Sequence, residues 1–290
     1  MFEAFLRQVA AGLATGGIYA SVALALVMIY KSTRTINFAQ GEMAMFSTYL
    51  AWAMIQAGIP YWVAFAATVV LSFVLGLLIE RLILRQVPRD NALAEVVVCI
   101  GLMVIFNSIA GWIFSTSVRV FPSPFDGVIP GNHYFSAHDL GSVGVTLCVL
   151  VLLFAFFRFT PLGLAMRAAA QNPVSSRLVG IRVGWMLALG WGLAGGIGAI
   201  AGMMVAPKVL LDPTMMSSVL LYAFAAALLG GIENPLGAVV GGFLMGIIEN
   251  LLGVYVIGND LKLTAALVLI VAVLIVRPAG LLGKTLVTRV

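Results

Sequence analysis

The chain of 290 residues is 62% hydrophobic and only 9% charged, and its mean hydropathy is +1.12. Soluble globular proteins carry about 25% charged residues, so this composition excludes a water-soluble fold and intrinsic disorder. The formal net charge is +5, but no basic tract is present that could follow a phosphate backbone, which excludes nucleic-acid binding.

Uncharged apolar runs long enough to cross a bilayer recur along the whole chain. Their continuous, non-alternating character predicts helices rather than barrel strands, because an open sheet would leave peptide groups unpaired in lipid. We therefore expect an all-α, polytopic transmembrane helical bundle. It forms a single domain over residues 1–290 with about eight to nine spans, some of them short or broken. The predicted spans cover residues 8–30, 40–57, 61–80, 92–114, 140–158, 185–206, 217–231, 235–257 and 262–277.

Positive residues orient these spans. The first span is too long for a cleavable signal peptide, and Lys31 and Arg34 follow it where small residues would precede a cleavage site. These two cations outweigh Arg7, which places the N-terminus outside and, after nine spans, the C-terminus inside. Of the 16 Lys and Arg residues, few then fall on the external side, namely Arg7, Arg119, Lys208 and Lys262.

The external connection over residues 115–139 is long and rich in proline. It is either an ordered loop that meets an external partner or a plain connector. His133 and His138 lie in it, but a zinc site would need further ligands nearby. Cys99 and Cys148 fall inside apolar stretches, where we expect small apolar side chains rather than a disulfide.

The cytoplasmic segment over residues 160–182 differs from the external connection because its pattern predicts two short helices. Thr160 and Pro161 have the pattern of an N-cap followed by proline at the first helical position. Asn172-Pro173 ends this helix, and a second short helix runs to Gly180. A short amphipathic helix between two spans is typical of docking into a groove of another protein, and the alternative is a helix lying on anionic lipid. One face of the first helix carries Leu164, Ala165, Ala168 and Ala169.

Several short motifs follow one another over nearly the whole chain. They are Gly16-Gly17-Ile18-Tyr19-Ala20, Ile36-Asn37-Phe38-Ala39-Gln40-Gly41-Glu42, Glu80-Arg81-Leu82, Arg167-Ala168-x-Ala170-Gln171-Asn172 with Gly180-Ile181, and Arg277-Pro278-x-Gly280-Leu281. In this order they resemble the permease subunit of branched-chain (hydrophobic) amino acid ABC importers, the LivH type. One corner departs from that pattern, since Arg85-Gln86-Val87-Pro88-Arg89 stands where the family usually has an R-P-L-R run.

The resemblance implies a multi-pass subunit of the bacterial inner membrane that pairs with a second, homologous permease and with two cytoplasmic ATPases. A periplasmic binding protein would deliver the solute, which is a branched-chain or related amino acid. Short amides and urea, carried by related systems, remain open. The segment 160–182 would be the coupling helix, with contacts through Leu164, Arg167, Ala168, Ala170, Asn172, Arg177 and Gly180.

ATP and Mg would then bind to the partner ATPases, and we expect no cofactor, metal or catalytic residue in this chain. Gly283-Lys284-Thr285 is similar to the end of a phosphate-binding loop. Pro278, however, stands at the position of the required first glycine, and no strand precedes it.

Polar residues inside or beside the apolar runs are candidates for the translocation pathway or its gate. Asn37, Phe38, Gln40 and Glu42 open the short second span, and Glu233 and Asn234 lie between the seventh and eighth spans. Broken helices near a pathway present their terminal dipoles to a polar solute. A purely architectural role, such as capping a tight turn, is the alternative at both places.

Glu249 lies roughly 21 Å along the eighth span, so an ionised carboxylate there should face protein or water rather than lipid. The same argument applies to its neighbour Asn250 and to Asn107 in the fourth span, because both are polar residues inside a span. Each either contacts the solute or locks helices together through hydrogen bonds.

Glycines crowd two of the spans in the small-xxx-small pattern, which lets helix backbones approach closely. They are Gly192, Gly195, Gly196, Gly198 and Gly202 in one span and Gly237, Gly241, Gly242 and Gly246 in the other. Our hypothesis is that these spans form the moving wall of alternating access. Leucine at Gly195 or Gly241 should then abolish uptake and leave assembly intact.

Two other classes of protein fit the sequence less well. A stand-alone secondary transporter or channel would need buried ion-coupling carboxylates and no docking helix. An intramembrane enzyme would need a metal-ligand pair or a Gly-x-Ser-x-Gly nucleophile site, which the sequence lacks.

Overall fold

The computed structural model describes residues 2–33, 36–87, 92–125, 136–258, 261–277 and 279–283. Several residues named above lie outside these ranges, namely Arg34, Pro88, Arg89, His133, Pro278, Lys284 and Thr285.

Helices make up nearly all of the described chain, and every predicted span coincides with one of them. The predicted all-α, polytopic fold is therefore confirmed. The helices are α1 (Phe2–Thr33), α2 (Gln40–Gln56), α3 (Tyr61–Leu82), α4 (Ala92–Phe114), α5 (Ala137–Phe159), α6 (Pro161–Gln171), α7 (Pro173–Leu178), α8 (Val183–Val209), α9 (Met215–Gly230), α10 (Pro235–Leu252) and α11 (Lys262–Val276). A 3₁₀ turn covers Leu84–Gln86, and α10 continues as a π-helical turn over Gly253–Ile257.

The helices differ in length. Among the described residues, α1, α3, α4, α5, α8 and α10 with its π-turn are long and apolar enough to cross a membrane. The apolar helices α9 and α11 are shorter, and α2 has 17 residues. The expectation of short spans thus fits α2, α9 and α11.

One boundary corrects the sequence analysis. Helix α5 already begins at Ala137, so the external connection is shorter than the predicted 115–139. His138 is a buried residue on α5, with 7% of its surface exposed, rather than a loop residue. Because α5 begins three residues before its predicted charge-free run, which starts at residue 140, hydropathy alone did not reveal its start.

The short cytoplasmic helices begin and end as predicted, and Asn172, predicted only to end the first of them, also caps the second. The Thr160 Oγ1 accepts a hydrogen bond from the Gly163 amide at 3.0 Å, and Pro161 is the first residue of α6. The Asn172 Oδ1 accepts one from the Ser175 amide at 3.0 Å and so caps α7. Gly180 has a φ of +86°, a backbone conformation that glycine adopts without strain.

The chain divides into two compact units. The first consists of Met1–Val27, Phe125–Leu147 and Ser218–Val290, and the second of Met28–Pro124 and Cys148–Ser217. The assignment of the whole chain to one permease domain stays a prediction.

In the second unit, α8 packs its glycines against α2 and α3. A Cβ added to Gly195 would lie 2.5 Å from the Ser72 carbonyl oxygen, and one at Gly76 would collide with the Trp191 backbone. A Cβ at Gly202 would collide with the Thr48 side chain. The helix backbones therefore touch, as the small-residue pattern predicted.

In the first unit, α10 packs in the same way against α1 and α9. A Cβ at Gly246 would meet the backbone of Gly12 and Gly16, and one at Gly241 would meet the Ala226 carbonyl. Leucine at Gly195 or Gly241 would therefore force backbones apart. The expected loss of uptake with intact assembly in these leucine variants stays a prediction.

Helix α2 begins inside the second unit rather than at its edge. The Gln40 side chain reaches Ala194 and Gly198, which lie near the middle of α8. The non-helical residues 36–39 lead to this point, and Asn37 and Ala39 are fully buried. The second span is thus a shortened helix that starts at the depth of the centre of α8.

Gly195→Ala should lower the stability of the protein, because the added methyl group meets the Ser72 carbonyl. Overpacking of this kind typically costs about 1–3 kcal/mol. Thermal unfolding of the purified protein in detergent measures the effect. Gly101→Ala on α4 is the matched control, since nothing lies within 4 Å of its Cβ position. Equal unfolding temperatures for the two variants would contradict the close contact between α3 and α8.

Candidate functional site

Asn37 and Gln40 organise the buried start of α2. The Asn37 Oδ1 accepts a hydrogen bond from the Ala39 amide at 2.9 Å, and its Nδ2 donates to Gln40 Oε1 at 3.3 Å. Gln40 Nε2 then donates to the Ala194 carbonyl at 3.0 Å. The neighbouring Phe38 is half-buried, and its backbone interacts with the Cys99 side chain of α4. These side chains supply the polar partners that a helix start inside an apolar bundle requires.

Glu42 lies two residues beyond Gln40 on α2 and meets Asn107 of α4. Asn107 Nδ2 donates to the Glu42 carboxylate at 3.3 Å and to the Pro213 carbonyl at 2.7 Å. One amide therefore joins α2, α4 and the connection between α8 and α9. Glu42 is only 6% exposed and lies in the first turn of α2, where the helix dipole favours a negative charge.

Arg119 fixes the described part of the predicted external connection. Its guanidinium lies 4.2 Å from the centre of the Trp52 ring and donates to the Phe114 carbonyl at 2.6 Å. Its backbone exchanges two hydrogen bonds of 2.9 Å with Leu211. This part of the connection is thus an ordered loop joined to the end of α8.

In the first unit, Glu249 faces the protein interior, as its position in a span predicted, and is 9% exposed. The Tyr19 hydroxyl donates to its Oε2 at 2.7 Å, and Lys262 Nζ lies 3.8 Å from its Oε1. The Tyr19 ring stacks on Tyr222 with 5.0 Å between ring centres. The neighbouring Asn250 donates to the Gln8 carbonyl at 2.7 Å and to its Oε1 at 2.9 Å.

Asn234 caps α10 at the opposite end of that helix. Its Oδ1 accepts from the Leu236 amide at 3.1 Å, and its Nδ2 donates to the Leu282 carbonyl at 3.1 Å. Glu233 is half-buried beside it. About 21 Å of helix separate this turn from Glu249, so the candidates of the first unit do not gather in one site.

The coupling candidates occupy both sides of α6. Leu164 is 61% exposed, whereas Met166 and Ala169 are buried, so the predicted face of Leu164 and the three alanines is divided. Arg167 is half-buried among Met28, Lys31 and Phe157, with its Nε enclosed. Among the other candidates, the half-buried ones are Ala168 and Ala170, and the exposed ones are Asn172, Arg177 and Gly180.

Sequence reasoning missed the residues that surround Glu249. Tyr19 lies 230 positions away in the chain, and Lys262 was treated only as an external charge. The motif that contains Tyr19 was the one signal for its importance, and no spacing rule connects it with Glu249. Nothing in the sequence indicated that Trp52 contacts Arg119.

Comparisons with known proteins agree with this architecture. Residues 8–276 match the family model described as "Branched-chain amino acid transport system / permease component". The chain is similar to the high-affinity branched-chain amino acid transport system permease protein LivH of Escherichia coli K12, with 30% identity over 100% of this chain and 99% of the relative. It is also similar to BraD of Pseudomonas aeruginosa, the corresponding permease protein, with 29% identity over 99% of this chain and 98% of that one.

A solved structure, PsaBC from Streptococcus pneumoniae in complex with Fab, has a similar fold. Its TM-score is 0.52 at 12% identity, and the match covers 96% of this chain and 97% of that one. This likeness concerns the fold alone. The family match and the full-length relatives together identify the chain as a member of the branched-chain amino acid transport permease family.

Proposed function

We propose that this chain is the membrane-spanning permease subunit of an ATP-binding-cassette importer. It passes branched-chain or related amino acids across the bacterial inner membrane by alternating access. A second permease, two cytoplasmic ATPases that bind ATP and Mg, and a periplasmic binding protein complete the assembly. The N-terminus lies outside and the C-terminus inside. The observation that carries this proposal is the exposed apolar surface of α6 and α7.

Helix α6 is already attached to its own unit by one side. Met166 and Ala169 are buried there, and Leu164 stands about 200° around the helix from Met166. The following short helix adds three further apolar side chains that are at least 70% exposed, namely Val174, Leu178 and Val179. Such an apolar surface between two spans is typical of a site for another protein.

A groove between α6 and the start of α8 provides a seat for a partner side chain. Its volume is about 400 Å³, and Leu162, Ala165, Gly180 and Trp185 contribute to its lining. Leu162 is 50% exposed at its edge. An apolar side chain of an ATPase in this groove would link movement of the motor directly to the start of α8.

The lipid alternative requires the apolar side chains of α6 to point toward the membrane. The side of α6 that faces the bundle, however, is occupied by its contacts with the helices. Leu164 lies on the opposite side, about 200° around α6 from the buried Met166, where a protein partner can contact it.

The polar residues inside the two units are proposed to line or gate the pathway. They are Asn37, Phe38, Gln40, Glu42 and Asn107 in the second unit and Glu233, Asn234, Glu249 and Asn250 in the first. Their hydrogen bonds support a gating role, because such bonds hold helices in one of two discrete arrangements. The glycine contacts of Gly195 and Gly241 supply smooth surfaces for the movement.

Reconstitution tests the proposed function. Proteoliposomes that contain this chain with its partner subunits should take up radiolabelled L-leucine only when ATP and the binding protein are both supplied. Liposomes with this chain alone should not take up leucine. Uptake by the chain alone and without ATP would contradict the proposal, and ATP-driven uptake of urea or short amides in place of leucine would refute the solute class.

Leu164→Asp should uncouple the motor, because a carboxylate at an apolar interface would be desolvated without a partner. We expect solute-stimulated ATP hydrolysis and uptake to fall at least roughly tenfold, which corresponds to about 1.4 kcal/mol of coupling. The fold should survive, since Leu164 is 61% exposed. Val118→Asp in the connection after α4 is the matched control, because Val118 is also 61% exposed, lies outside the predicted spans and should leave coupling unchanged. Normal coupling in Leu164→Asp would contradict docking at α6.

A further inference from the structure

The Glu249 carboxylate lies at the meeting point of four helices of the first unit. Tyr19 of α1 donates to its Oε2 at 2.7 Å and stacks on Tyr222 of α9. Lys262, the first residue of α11, approaches its Oε1 from the other side. The Glu249 carboxylate thus has the Tyr19 hydroxyl on one oxygen and the Lys262 ammonium group near the other.

The structure makes room for this lysine. Helix α10 changes to a π-helical turn at Gly253, and a Cβ at Gly253 would collide with the Lys262 side chain. The absence of a side chain at Gly253 therefore opens the path by which the lysine reaches Glu249. Turns of this π-helical kind are found frequently at functional sites.

The lysine is held loosely. Its Nζ lies 3.8 Å from Glu249 Oε1, whereas charge-assisted hydrogen bonds of this type are about 2.7–2.9 Å long. The Lys262 and Glu249 side chains are also 21% and 10% exposed. One carboxylate oxygen is therefore bound firmly by Tyr19, and the other holds an ammonium group that can be exchanged.

We propose that Lys262 Nζ occupies the place of the solute's primary ammonium group, and that the Glu249 carboxylate, held in position by the Tyr19 hydroxyl, is the binding site for that group. Carboxylates are the partners with which ammonium groups form strong, charge-assisted hydrogen bonds in proteins. The inference rests on the proposed function, because an amino acid carries such a group. Arrival of the solute would displace Lys262 and release the start of α11 from α10.

A purely structural ion pair predicts a different response. There, removal of Lys262 leaves the carboxylate without its partner, and every function of the site weakens. If Lys262 instead competes with the solute, its removal frees the site and strengthens binding. If the lysine occupies the site about nine-tenths of the time, the apparent affinity rises about tenfold. The two accounts therefore predict opposite signs.

The experiment measures equilibrium binding of radiolabelled L-leucine to the assembled transporter without nucleotide, in lipid nanodiscs. Lys262→Met should raise the affinity about tenfold, and Glu249→Gln should lower it by a similar factor. Lys262→Arg keeps the competing cation and should behave as the unmodified protein. Lys208→Met removes a lysine that does not contact Glu249 and should leave binding unchanged.

A second variant reaches the same result without removing the charge. Gly253→Ala places a methyl group where the Lys262 side chain passes, so the lysine is displaced and leucine affinity should rise. The probe 4-methylpentanoate, which is leucine without its amino group, should bind equally to the unmodified protein and to both variants.

Leucine affinity that falls or stays the same in Lys262→Met and Gly253→Ala would overturn the inference, as would leucine binding too weak to measure in both. A gain in affinity for 4-methylpentanoate equal to that for leucine would also overturn it. Failure of the proposed function is distinguishable, because the unmodified transporter would then not import leucine with ATP and the binding protein.

Discussion

The constraint on which this structure depends is that polar backbone groups in an apolar environment must find partners within the protein. Helices meet that requirement nearly everywhere along the described chain. The exception at depth is the segment before α2, where Asn37 accepts from the Ala39 amide and Gln40 bonds to the Ala194 carbonyl. Because these bonds are made, the second span can begin at the middle of α8.

The same constraint explains the glycine contacts and the few buried charges. Helices that lack a hydrophobic driving force in lipid associate through close packing, and glycine allows the closest approach. Glu42, Glu80 and Glu249 are the buried carboxylates of the described residues, and hydrogen bonds tie Glu42 to Asn107 and Glu249 to Tyr19. Close packing and these hydrogen bonds hold the helices together within each unit, and an apolar excess stays exposed on the outside. That excess includes α6 and α7, where the proposal places the motor.

Much of the fold could be predicted from the sequence because its signals are local. Charge-free runs located the spans, and adjacent residues revealed the cap at Thr160 and the end of α6 at Asn172. The site could not be predicted as well. Tyr19 and Glu249 are distant in sequence, and the Lys262 side chain reaches Glu249 past the π-helical turn. His138 belongs to a helix that begins before its apolar run. Such pairings follow from tertiary packing and leave no periodic pattern.

The central claim is that α6 is seated on a separate motor protein. Site-specific photo-crosslinking in native membranes tests it most directly, with a photoreactive amino acid in place of Leu164 and, as the buried comparison, in place of Met166. The account predicts a crosslink from position 164 to an ATPase subunit and none from position 166. A crosslink from position 164 to lipid alone would contradict it.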